Sequence, residues 1–590
     1  MYRTHTCNAL NASDLEKEVI LSGWIHRRRD HGDVIFIDLR DRYGLTQIAF
    51  DPSVNPKAHQ IAEKVRPEWV IKVKGKVRSR PQGQENKRMD TGEIEIIAHE
   101  IMVLSEAKTP PFEIDQEKEV GEEVRLKYRY LDLRRERLRE NIIFRARVTK
   151  FIRDFYEKHD FLDIETPILI KGTPEGSREY LVPSRIYPGE FFVLPQSPQQ
   201  LKQLSMVAGF DKYFQIAKCF RDEDLRGDRQ PEFTQIDVEM SFVEQEDIIS
   251  LHEKLFIEMV EKFLPQKKVK STPFMRLTWQ EAMEKYGSDK PDLRFALEIR
   301  DVTAVLKNCK FKVFASVASS ENGTVRALRI PGGDLIITRK DIDNLTKLAQ
   351  IYGAKGLAYF QVRENELTGP VAKFLSKEEL NLIIEITEAQ VGDIIFFGAD
   401  EFTKALEPLG QVRIKCAEIM NLIDKNELAF TWVTEFPLFE KNKEGEIVSV
   451  HHPFTRPVLE DLAQYENTDI TKIRSYAYDL AVNGVELGGG SIRIHEKELQ
   501  EKMFELMKIS EKEAQMKFGH LLKAFEYGAP PHGGIAFGLD RIFMLFCDEP
   551  NIREVIAFPK DQKSKDLMLG APAAMLKAQL DELGIVLKID

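Results

Sequence analysis

The sequence lacks the features that would place the chain in a membrane or an oxidising compartment. No window approaches the roughly 18 consecutive apolar residues that a membrane helix needs, and residues 1–18 contain no apolar core of a signal peptide. There is no C-x-x-C pair, and the five cysteines lie far apart, at Cys7, Cys219, Cys309, Cys416 and Cys547. We therefore expect a cytoplasmic protein with reduced thiols, no zinc site built on cysteines and no membrane association.

Basic residues are in deficit over the chain as a whole. The 590 residues include 85 Lys and Arg against 96 Asp and Glu, a formal net charge of −11. A polyanionic partner would be disfavoured if this charge were evenly spread. Residues 1–106, however, carry 17 Lys and Arg and 16 Asp and Glu, so the acidic excess belongs to the rest of the chain. The local pattern, and not the net charge, must decide whether a nucleic acid binds.

Residues 1–106 have the pattern of a small β-barrel. Short β-branched and aromatic runs are separated by turn residues such as Gly32 and Gly44. Five strands in such a short segment suit an oligonucleotide-binding (OB) fold. The predicted strands are residues 19–24, 34–40, 46–50, 70–80 and 93–104.

One predicted strand of this barrel carries a basic stripe. From Lys72 to Arg80 every second residue is basic, so five cations would share one face while Val73 and Val77 point the other way. Phe36 would be exposed beside this stripe. An exposed aromatic ring next to cations is typical of a surface on which unpaired bases stack. The alternative is a solvated edge strand protected by lysines.

The rest of the chain mixes helices and strands, which predicts an α+β multidomain protein. The pattern after residue 420 resembles the pattern before residue 288, so one core interrupted by an insertion explains the order best. The predicted segments are a linker at 107–127, the first part of the core at 128–287, an inserted α/β domain at 288–420 and the second part of the core at 421–590.

Residues 220–240 are two strand-like runs joined by a charge-rich loop. Phe233, Gln235, Asp237 and Glu239 alternate along the second run and would share one strand face. A charge-rich loop alone would be ordinary surface. An aromatic ring and three polar groups in line suit a binding surface better than a core.

Residues 479–494 are predicted to form a hairpin that turns at Asn483-Gly484. The turn would bring Asp479 and Glu486 onto adjoining strands, where paired carboxylates could hold a divalent ion. The three glycines at 488–490 would let a ligand approach the backbone closely, although such runs are also found in plain loops.

Two arginines are candidates for phosphate binding. Arg221 opens the loop of the first segment together with Glu223, which offers a cation for phosphate and a carboxylate for Mg²⁺. Residues 533–545 run as a strand through Gly538 into a helix, and Arg541 lies near the start of that helix. Arg541 could meet a polyphosphate there or pair with a nearby acid.

These three segments, together with residues 144–167, resemble the signature motifs of the class II aminoacyl-tRNA synthetases. The chain is also similar to the bacterial-type aspartyl-tRNA synthetase family in its barrel, its insertion and three shorter segments, at residues 173–177, 196–202 and 451–454. The resemblance covers essentially the whole chain. It implies an OB-fold anticodon-binding domain, a class II antiparallel-sheet catalytic core with helices, an inserted α/β domain and a homodimer formed through residues 144–167.

The resemblance implies that L-aspartate and ATP react to aspartyl-adenylate and pyrophosphate, after which the aspartyl group passes to the 3′ end of tRNA(Asp). Such a displacement needs positioning and charge neutralisation, and no side-chain nucleophile. Arg221 and Arg541 would be the catalytic residues. Arg221 would bridge the aspartate carboxylate and the α-phosphate, and Arg541 would enclose the adenine together with Phe233.

The same resemblance assigns residues to three ligands. Mg²⁺ would be held by Asp479 and Glu486. Asparagine would leave the cations Lys202 and Arg493 unpaired, so no editing site is expected. Aspartate would be bound by Glu175, Gln199, Lys202, Arg221, Asp237, His451 and Arg493. ATP would be bound by Arg221, Asp222, Glu223, Gln230, Phe233, Glu486, Gly538, Leu539, Asp540 and Arg541.

In the barrel, the resemblance implies that Phe36 stacks on an anticodon base and that Arg29 and Gln47 contact neighbouring groups. His31 and Gly83 accompany relaxed tRNA choice in this family, which predicts aspartylation of tRNA(Asn) as well as tRNA(Asp). The rival interpretations are an asparaginyl- or lysyl-tRNA synthetase of the same subclass and a catalytically dead paralogue that only binds RNA.

Overall fold

The computed structural model describes residues 1–116, 118–172, 177–223, 227–364, 367–442 and 444–588. The chain divides into two compact units. The first comprises residues 1–145 and 553–574, and the second comprises residues 146–552 and 575–590. Among the described helices, none combines the length and the apolar character needed to cross a bilayer.

The described strands are β1 (Glu18–His31), β2 (Val34–Arg40), β3 (Leu45–Phe50), β4 (Val70–Ser79), β5 (Ile94–Ser105), β6 (Leu162–Asp163), β7 (Leu181–Pro183), β8 (Phe191–Val193), β9 (Lys212–Phe220), β10 (Glu232–Ser241), β11 (Lys268–Val269), β12 (Met275–Thr278), β13 (Ile299–Asp301), β14 (Gly323–Ile330), β15 (Ala358–Val362), β16 (Leu367–Thr368), β17 (Ile394–Glu401), β18 (Glu427–Leu428), β19 (Phe430–Thr434), β20 (Phe439–Lys441), β21 (Ile447–Ser449), β22 (Ala477–Val482), β23 (Val485–Ile492) and β24 (His532–Gly538).

The described α-helices are α1 (Pro56–Lys64), α2 (Glu122–Lys127), α3 (Arg129–Asp132), α4 (Glu136–Lys158), α5 (Gln199–Val207), α6 (Gln245–Phe263), α7 (Trp279–Tyr286), α8 (Thr303–Leu306), α9 (Lys312–Ala318), α10 (Gly333–Ile336), α11 (Arg339–Ile351), α12 (Lys377–Thr387), α13 (Phe402–Ile419), α14 (Leu459–Tyr465), α15 (Lys497–Leu506), α16 (Glu511–Phe525), α17 (Leu539–Phe546) and α18 (Lys577–Glu582). Short 3₁₀ turns are found at Ala12–Asp14, Ala372–Phe374, Ile470–Lys472 and Ile552–Glu554.

In the first unit, β1 to β5 pair around a ring in the order β1-β2-β3-β5-β4, with β4 returning to β1. The contact between β3 and β5 is parallel and has two registered pairs, at Ile48 and Ala49. The predicted first strand, 19–24, was too short, because β1 continues past a bulge to His31. The run Arg27–Arg29 therefore lies on a strand, paired with β2.

Strand β4 pairs with both β1 and β5, so the edge-strand alternative is wrong. Its residues alternate as predicted. Val73 and Val77 lie in the barrel core, and the half-buried cations on the other face are Lys72, Lys74, Lys76 and Arg78. The predicted fifth cation, Arg80, does not belong to this stripe. It follows the end of β4 and is buried, and its Nε–H donates to the Ile94 carbonyl.

The remaining stripe is less positive than the sequence alone indicates. Three of its cations have carboxylate partners within salt-bridge distance, so the face offers fewer free charges to a polyanion. The pairs are Lys74 with Glu18, Lys76 with Glu16 and Arg78 with Glu95.

The segment predicted to be a linker contains a helix at its end, because α2 begins at Glu122. A turn at 133–135 separates α3 from α4. At this turn Asp132 is fully buried and accepts hydrogen bonds from Arg125 and Arg129.

The second unit is built around an eight-stranded sheet with the order β12-β19-β22-β23-β24-β10-β9-β6. Its pairings are antiparallel except at the two ends, where β12–β19 and β6–β9 are parallel. Residues from β9 and β24 pack on aromatic side chains of α4 and α6: Phe214 stacks on Tyr156, and Phe537 contacts Phe256. One face of the sheet is thus covered, and the opposite face is available to a ligand.

The inserted segment forms a second sheet, of order β13-β14-β17-β15-β16. Alternate residues of its central strand β17 enter two hydrophobic cores. Ile394 and Phe396 pack with residues of α11 and α13, whereas Ile395 and Phe397 pack with residues of α9 and α12. A sheet covered by helices on both faces is the α/β layer arrangement that was predicted for this insertion.

Candidate functional site

A cavity of about 460 Å³ opens on the uncovered face of the eight-stranded sheet. Its floor comes from β10, β23 and β24, and its rim from the loop between β9 and β10. Fourteen of the residues predicted to bind aspartate, ATP or Mg²⁺ line this cavity. They are Gln199, Lys202, Arg221, Glu223, Gln230, Phe233, Asp237, His451, Asp479, Glu486, Arg493, Gly538, Asp540 and Arg541.

Two further predicted residues among the described ones do not line it. Asp222 lies on the loop. Its backbone N–H donates to the Arg178 carbonyl, and the Arg178 Nε–H donates to the Asp222 carbonyl, both at 3.1 Å. Leu539 is the first residue of α17, and its side chain is buried in the core. Glu175 lies outside the described residues.

The antiparallel pairing of β9 and β10 explains why the polar residues of the first motif converge. Phe233, Gln235 and Asp237 all line the cavity, whereas Ile236 and Val238 point into the hydrophobic core. The strand therefore presents one polar and one apolar face, as its alternation predicts.

Two glycines make room for carboxylates that approach the sheet. A Cβ at Gly489 of β23 would lie 2.4 Å from Asp479 Oδ1. A Cβ at Gly534 of β24 would lie 2.0 Å from Glu239 Oε2. Any side chain at these positions would displace the acids, so the glycine-rich strands are part of the site.

Two cations and two carboxylates form a buried cluster at the floor of the cavity. Lys202 Nζ lies 2.7 Å from Asp237 Oδ1 and 3.2 Å from Glu239 Oε2. Arg493 Nε lies 2.9 Å from Glu239 Oε1, and its NH1 contacts Ser491 Oγ at 2.6 Å. All four charged side chains are at most 2% exposed. Opposite charges compensate one another here, as burial requires.

The cluster holds its members in defined ionisation states. Burial would raise the pKa of Glu239, but Arg493 and Lys202 more than offset this and lower it, so the carboxylate is charged. Burial raises the pKa of Asp237 against the opposing effect of Lys202. His452 Nε2 accepts a hydrogen bond from Arg493 NH1. Burial and the charge of this guanidinium keep the pKa of His452 well below its usual range. His452 is therefore neutral.

Glu239 and His452 were not assigned by the sequence reasoning. Glu239 continues the alternation of Phe233, Gln235 and Asp237, so the signal was present, but its partner Arg493 is distant along the chain. Nothing in the sequence indicated which of the adjacent histidines, 451 or 452, would touch Arg493.

Beside this cluster, Asp479 and Glu486 lie on adjoining strands, as predicted from the Asn483-Gly484 turn. His451 Nε2 lies 3.3 Å from Asp479 Oδ1. Burial and the charge of Glu486 raise the pKa of Asp479, while His451 lowers it. Burial disfavours the charged form of His451, but Asp479 outweighs this effect and raises the histidine pKa. Two carboxylates that repel each other suit a divalent cation that binds oxygen ligands.

The outer part of the cavity carries the groups predicted for the nucleotide. The Arg221 guanidinium lies over the Phe233 ring, 5.1 Å from its centroid. Arg541 NH1 donates to the Glu486 carbonyl at 3.1 Å, and its NH2 lies 3.3 Å from Asp228 Oδ2. Arg541 and Phe233 both line this cavity, and a guanidinium and an aromatic ring are two groups on which a purine base can stack.

Two of the residues predicted to bind the nucleotide also form hydrogen bonds or ion pairs with other residues of the chain. Asp540 is buried, and its Oδ2 accepts the Thr234 N–H at 2.9 Å, which fixes the start of α17 against β10. Glu223 at the rim pairs with Arg229 at 2.8 Å and accepts a hydrogen bond from Ser177 Oγ.

In the barrel, the predicted anticodon residues lie together on one face. Arg29 is paired with Phe36 across β1 and β2, and its NH2 donates to Gln47 Oε1 at 3.0 Å. Arg29 also forms a bidentate pair with Asp38, at 2.6 and 2.7 Å. The His31 ring packs edge-on against Phe36 with centroids 5.8 Å apart. Gly83 is exposed, with a φ of +82°.

Two family models match the chain. Residues 121–562 match the class II tRNA synthetases (D, K and N), and residues 19–104 match the OB-fold nucleic acid binding domain. The chain is 53% identical to an aspartate–tRNA(Asp/Asn) ligase of Rubrobacter xylanophilus, covering 99% of this chain and 97% of the relative. It is 51% identical to a protein of the same name from Syntrophomonas wolfei, covering 99% of both.

Solved structures share the fold at low sequence identity. An aspartyl-tRNA synthetase from Entamoeba histolytica matches with a TM-score of 0.56 and 19% identity, covering 93% of this chain and 90% of the other. An asparaginyl-tRNA synthetase from Pyrococcus horikoshii matches with a TM-score of 0.58 and 16% identity, covering 95% and 98%. The family and the fold class predicted from the motifs are thereby confirmed. The chain belongs to the aspartate–tRNA(Asp/Asn) ligase family of the class II tRNA synthetases.

Proposed function

We propose that this chain is an aspartate–tRNA ligase that activates L-aspartate with ATP and transfers the aspartyl group to tRNA(Asp) and to tRNA(Asn). The observation that carries the proposal is the pair of buried cations, Lys202 and Arg493, at the floor of a cavity whose outer wall holds Arg221, Phe233 and Arg541. The names of relatives about 50% identical over the full chain support both tRNA substrates.

The charge cluster accounts for the choice of amino acid. Lys202 and Arg493 are balanced by Asp237 and Glu239, so the charges of the cluster nearly cancel. An aspartate side chain can accept hydrogen bonds from both cations, while its ammonium group finds Asp237 and Gln199. Asparagine offers one weaker acceptor and brings an amide NH₂ toward two cations, which costs several kcal/mol. Lysine is excluded by charge repulsion.

Adenylate formation follows from the position of Arg221. Its guanidinium lines the same cavity as the amino-acid cluster and lies over the Phe233 ring. From there it would neutralise the charge that develops as the aspartate α-carboxylate displaces pyrophosphate from the α-phosphorus. Asp479 and Glu486 would hold Mg²⁺, which neutralises phosphate charge when bound. Arg541 would bind the γ-phosphate end of the triphosphate, which leaves as part of pyrophosphate.

The barrel supplies tRNA recognition in this proposal. Phe36 is half-buried and presents a ring edge-packed by His31, which leaves a face for a base. Arg29 and Gln47 are oriented by Asp38 and Glu95, so their remaining donors can be directed at anticodon groups.

Two further properties belong to the proposal. A homodimer through residues 144–167 is supported by large apolar side chains that are exposed at and just after this segment, namely Leu162, Ile168 and Leu169. A cytoplasmic location is supported by the reaction, since tRNA charging takes place where translation does. Light scattering on the purified chain tests the dimer and should give twice the 68.0 kDa chain mass.

The decisive experiment is aspartylation of tRNA(Asp) and tRNA(Asn) transcripts, side by side, with purified protein. We expect both to be charged with aspartate. Charging of tRNA(Asp) alone would contradict the proposed use of tRNA(Asn). In parallel, ATP–pyrophosphate exchange should depend on aspartate. Exchange driven by asparagine or lysine but not aspartate would establish a rival synthetase, and no exchange with any amino acid would establish the RNA-binding paralogue.

A further inference from the structure

The inserted segment contributes its first residues to the nucleotide cavity. Helix α7 ends at Tyr286 and is capped by Gly287, whose φ is +66° and whose N–H donates to the Met283 carbonyl. A Cβ at Gly287 would lie 2.3 Å from the Leu406 carbonyl, so this turn fits closely against α13. The chain that leaves the turn brings Asp289 into the wall of the cavity. No role had been assigned to any residue of the insertion.

The next residue, Lys290, reaches Glu486, one of the two proposed metal carboxylates. Its Nζ lies 3.0 Å from Asp289 Oδ1 and 3.9 Å from Glu486 Oε2. The segment is held there by the β22–β23 hairpin, because a Cβ at Gly484 would contact Asp292 Cβ at 3.4 Å. The side chain therefore approaches Glu486 from a backbone that is packed on both sides.

The surrounding charges make this ammonium group a counter-ion. Asp479 interacts with both Glu486 and Asp289, and it has His451 as its partner. Glu486 has two cationic neighbours, Lys290 and Arg541, whose NH1 lies 3.8 Å from Oε1. A divalent cation bound to Glu486 would stand next to the Lys290 ammonium, and the two positive charges would repel each other.

We propose that Lys290 is a positioning residue of the nucleotide site: its ammonium holds Glu486 in the metal-free protein and competes with the divalent cation for that carboxylate. The proposal rests on the assignment of Asp479 and Glu486 to Mg²⁺ in the proposed function. It gives the first residues of the inserted domain a role: they set the concentration at which a divalent cation binds to the nucleotide site.

The test measures metal binding directly. Mn²⁺ is titrated into the full-length protein without ATP, and free Mn²⁺ is followed by electron paramagnetic resonance. The Lys290→Met variant should bind Mn²⁺ about fivefold more tightly than the unaltered protein, because a repelling charge is gone. Lys290→Arg, which keeps the charge, should bind within twofold of the unaltered protein. The exposed Lys307 of the insertion provides the matched control, and Lys307→Met should change nothing.

Unchanged or weaker Mn²⁺ binding by Lys290→Met would overturn the proposal. If Lys290→Met does not fold, as judged by its thermal melting curve, Lys290→Gln takes its place with the same expectation. The Glu486→Gln variant separates this proposal from the assignment beneath it. If Glu486→Gln binds Mn²⁺ as the unaltered protein does, the metal assignment fails; if it binds more weakly, adding Lys290→Met should produce no further tightening.

The magnesium dependence of catalysis gives an independent readout. In aspartate-dependent ATP–pyrophosphate exchange, the Mg²⁺ concentration for half-maximal rate should fall about fivefold in Lys290→Met, with the aspartate KM unchanged. A purely structural role of Lys290 would instead lower kcat and leave the Mg²⁺ midpoint in place, and that result would contradict the proposal. Absence of exchange in the unaltered protein would count against the proposed function and not against Lys290.

Discussion

Arg493 donates its Nε–H to Glu239 Oε1 across 2.9 Å, and both side chains are almost fully buried. The same carboxylate lies 3.2 Å from Lys202 Nζ, so one acid fixes both cations of the proposed aspartate pocket. A guanidinium held in this way has little rotamer freedom to lose when a substrate binds. Preorganisation of the cations, more than their number, is what the cluster contributes.

Arg493→Ala should impair the use of aspartate far more than the binding of ATP. It removes a donor for the substrate carboxylate and leaves Glu239 buried without its main partner. We expect kcat/KM for aspartate to fall at least about 100-fold, with the ATP KM within about threefold. ATP–pyrophosphate exchange with either substrate varied measures both values.

Arg456→Ala is the matched control, because Arg456 pairs with Glu496 at 2.8 Å but does not line the cavity. It should leave both constants within about twofold. Equal losses for aspartate and ATP in Arg493→Ala would refute the role assigned to Arg493.

Phe36→Ala should separate tRNA recognition from amino-acid activation. Loss of one aromatic stacking partner costs about 1–3 kcal/mol, so kcat/KM for tRNA(Asp) should fall about 5- to 150-fold. ATP–pyrophosphate exchange should be unchanged, because Phe36 belongs to the barrel and the cavity is lined by residues of the second unit. Aminoacylation and exchange assays on the same preparation measure the two effects.

Tyr43 offers a control for Phe36, since it is another exposed aromatic residue of the first unit and no anticodon role is assigned to it. Tyr43→Ala should charge tRNA(Asp) normally. An equal defect in both variants would point to general disturbance of the barrel.

The motifs predicted which residues meet, but not which residues hold them in place. Arg221, Phe233 and Arg541 were assigned to one site by the resemblance of their motifs to a known family, and all three line one cavity. Glu239 and Lys290 were missed because their partners are distant in the sequence, and pairing at that range depends on strand order, which alternation along one strand does not encode.

The errors in the barrel have a similar origin. Strand β1 extends to His31 because Arg29 finds the carboxylate of Asp38 on the neighbouring strand, which makes a charged run compatible with a sheet. Arg80 leaves the basic stripe because a backbone carbonyl accepts its hydrogen bond. In both cases a local pattern was overridden by a partner supplied from elsewhere in the fold.

Asp228→Asn should tighten the binding of ATP. The Asp228 carboxylate lies 3.3 Å from Arg541 NH2, so it would compete with a phosphate group of ATP for this guanidinium. Both side chains are partly exposed, and the effect should be modest: a two- to fivefold lower ATP KM in exchange assays. Asp469→Asn, at an exposed carboxylate outside the cavity, should have no effect. A higher ATP KM in Asp228→Asn would mean that Asp228 itself contributes to the nucleotide site.

His252 should make the protein less stable in mild acid. Its ring is fully buried beneath β24, and its Nδ1–H donates to the Ile248 carbonyl while Nε2 accepts from Tyr156. Burial lowers its pKa to about 4. The unfolded chain, with a histidine pKa near 6.5, therefore takes up a proton below about pH 6.5 that the folded chain cannot bind. Stability must fall as the pH decreases from about 6.5 toward 4.

The His252→Phe variant isolates this contribution, because phenylalanine fills the same space and does not titrate. Between pH 7 and pH 5 the unaltered protein should lose about 2 kcal/mol more of its free energy of unfolding than the variant does. Urea denaturation at the two pH values measures the difference, and effects of the other histidines cancel between the two proteins. The lost hydrogen bond to Tyr156 lowers the variant's stability equally at both pH values, so only the pH-dependent part reports on His252. Parallel pH profiles for the two proteins would show that His252 is protonated in the folded state as readily as in the unfolded one.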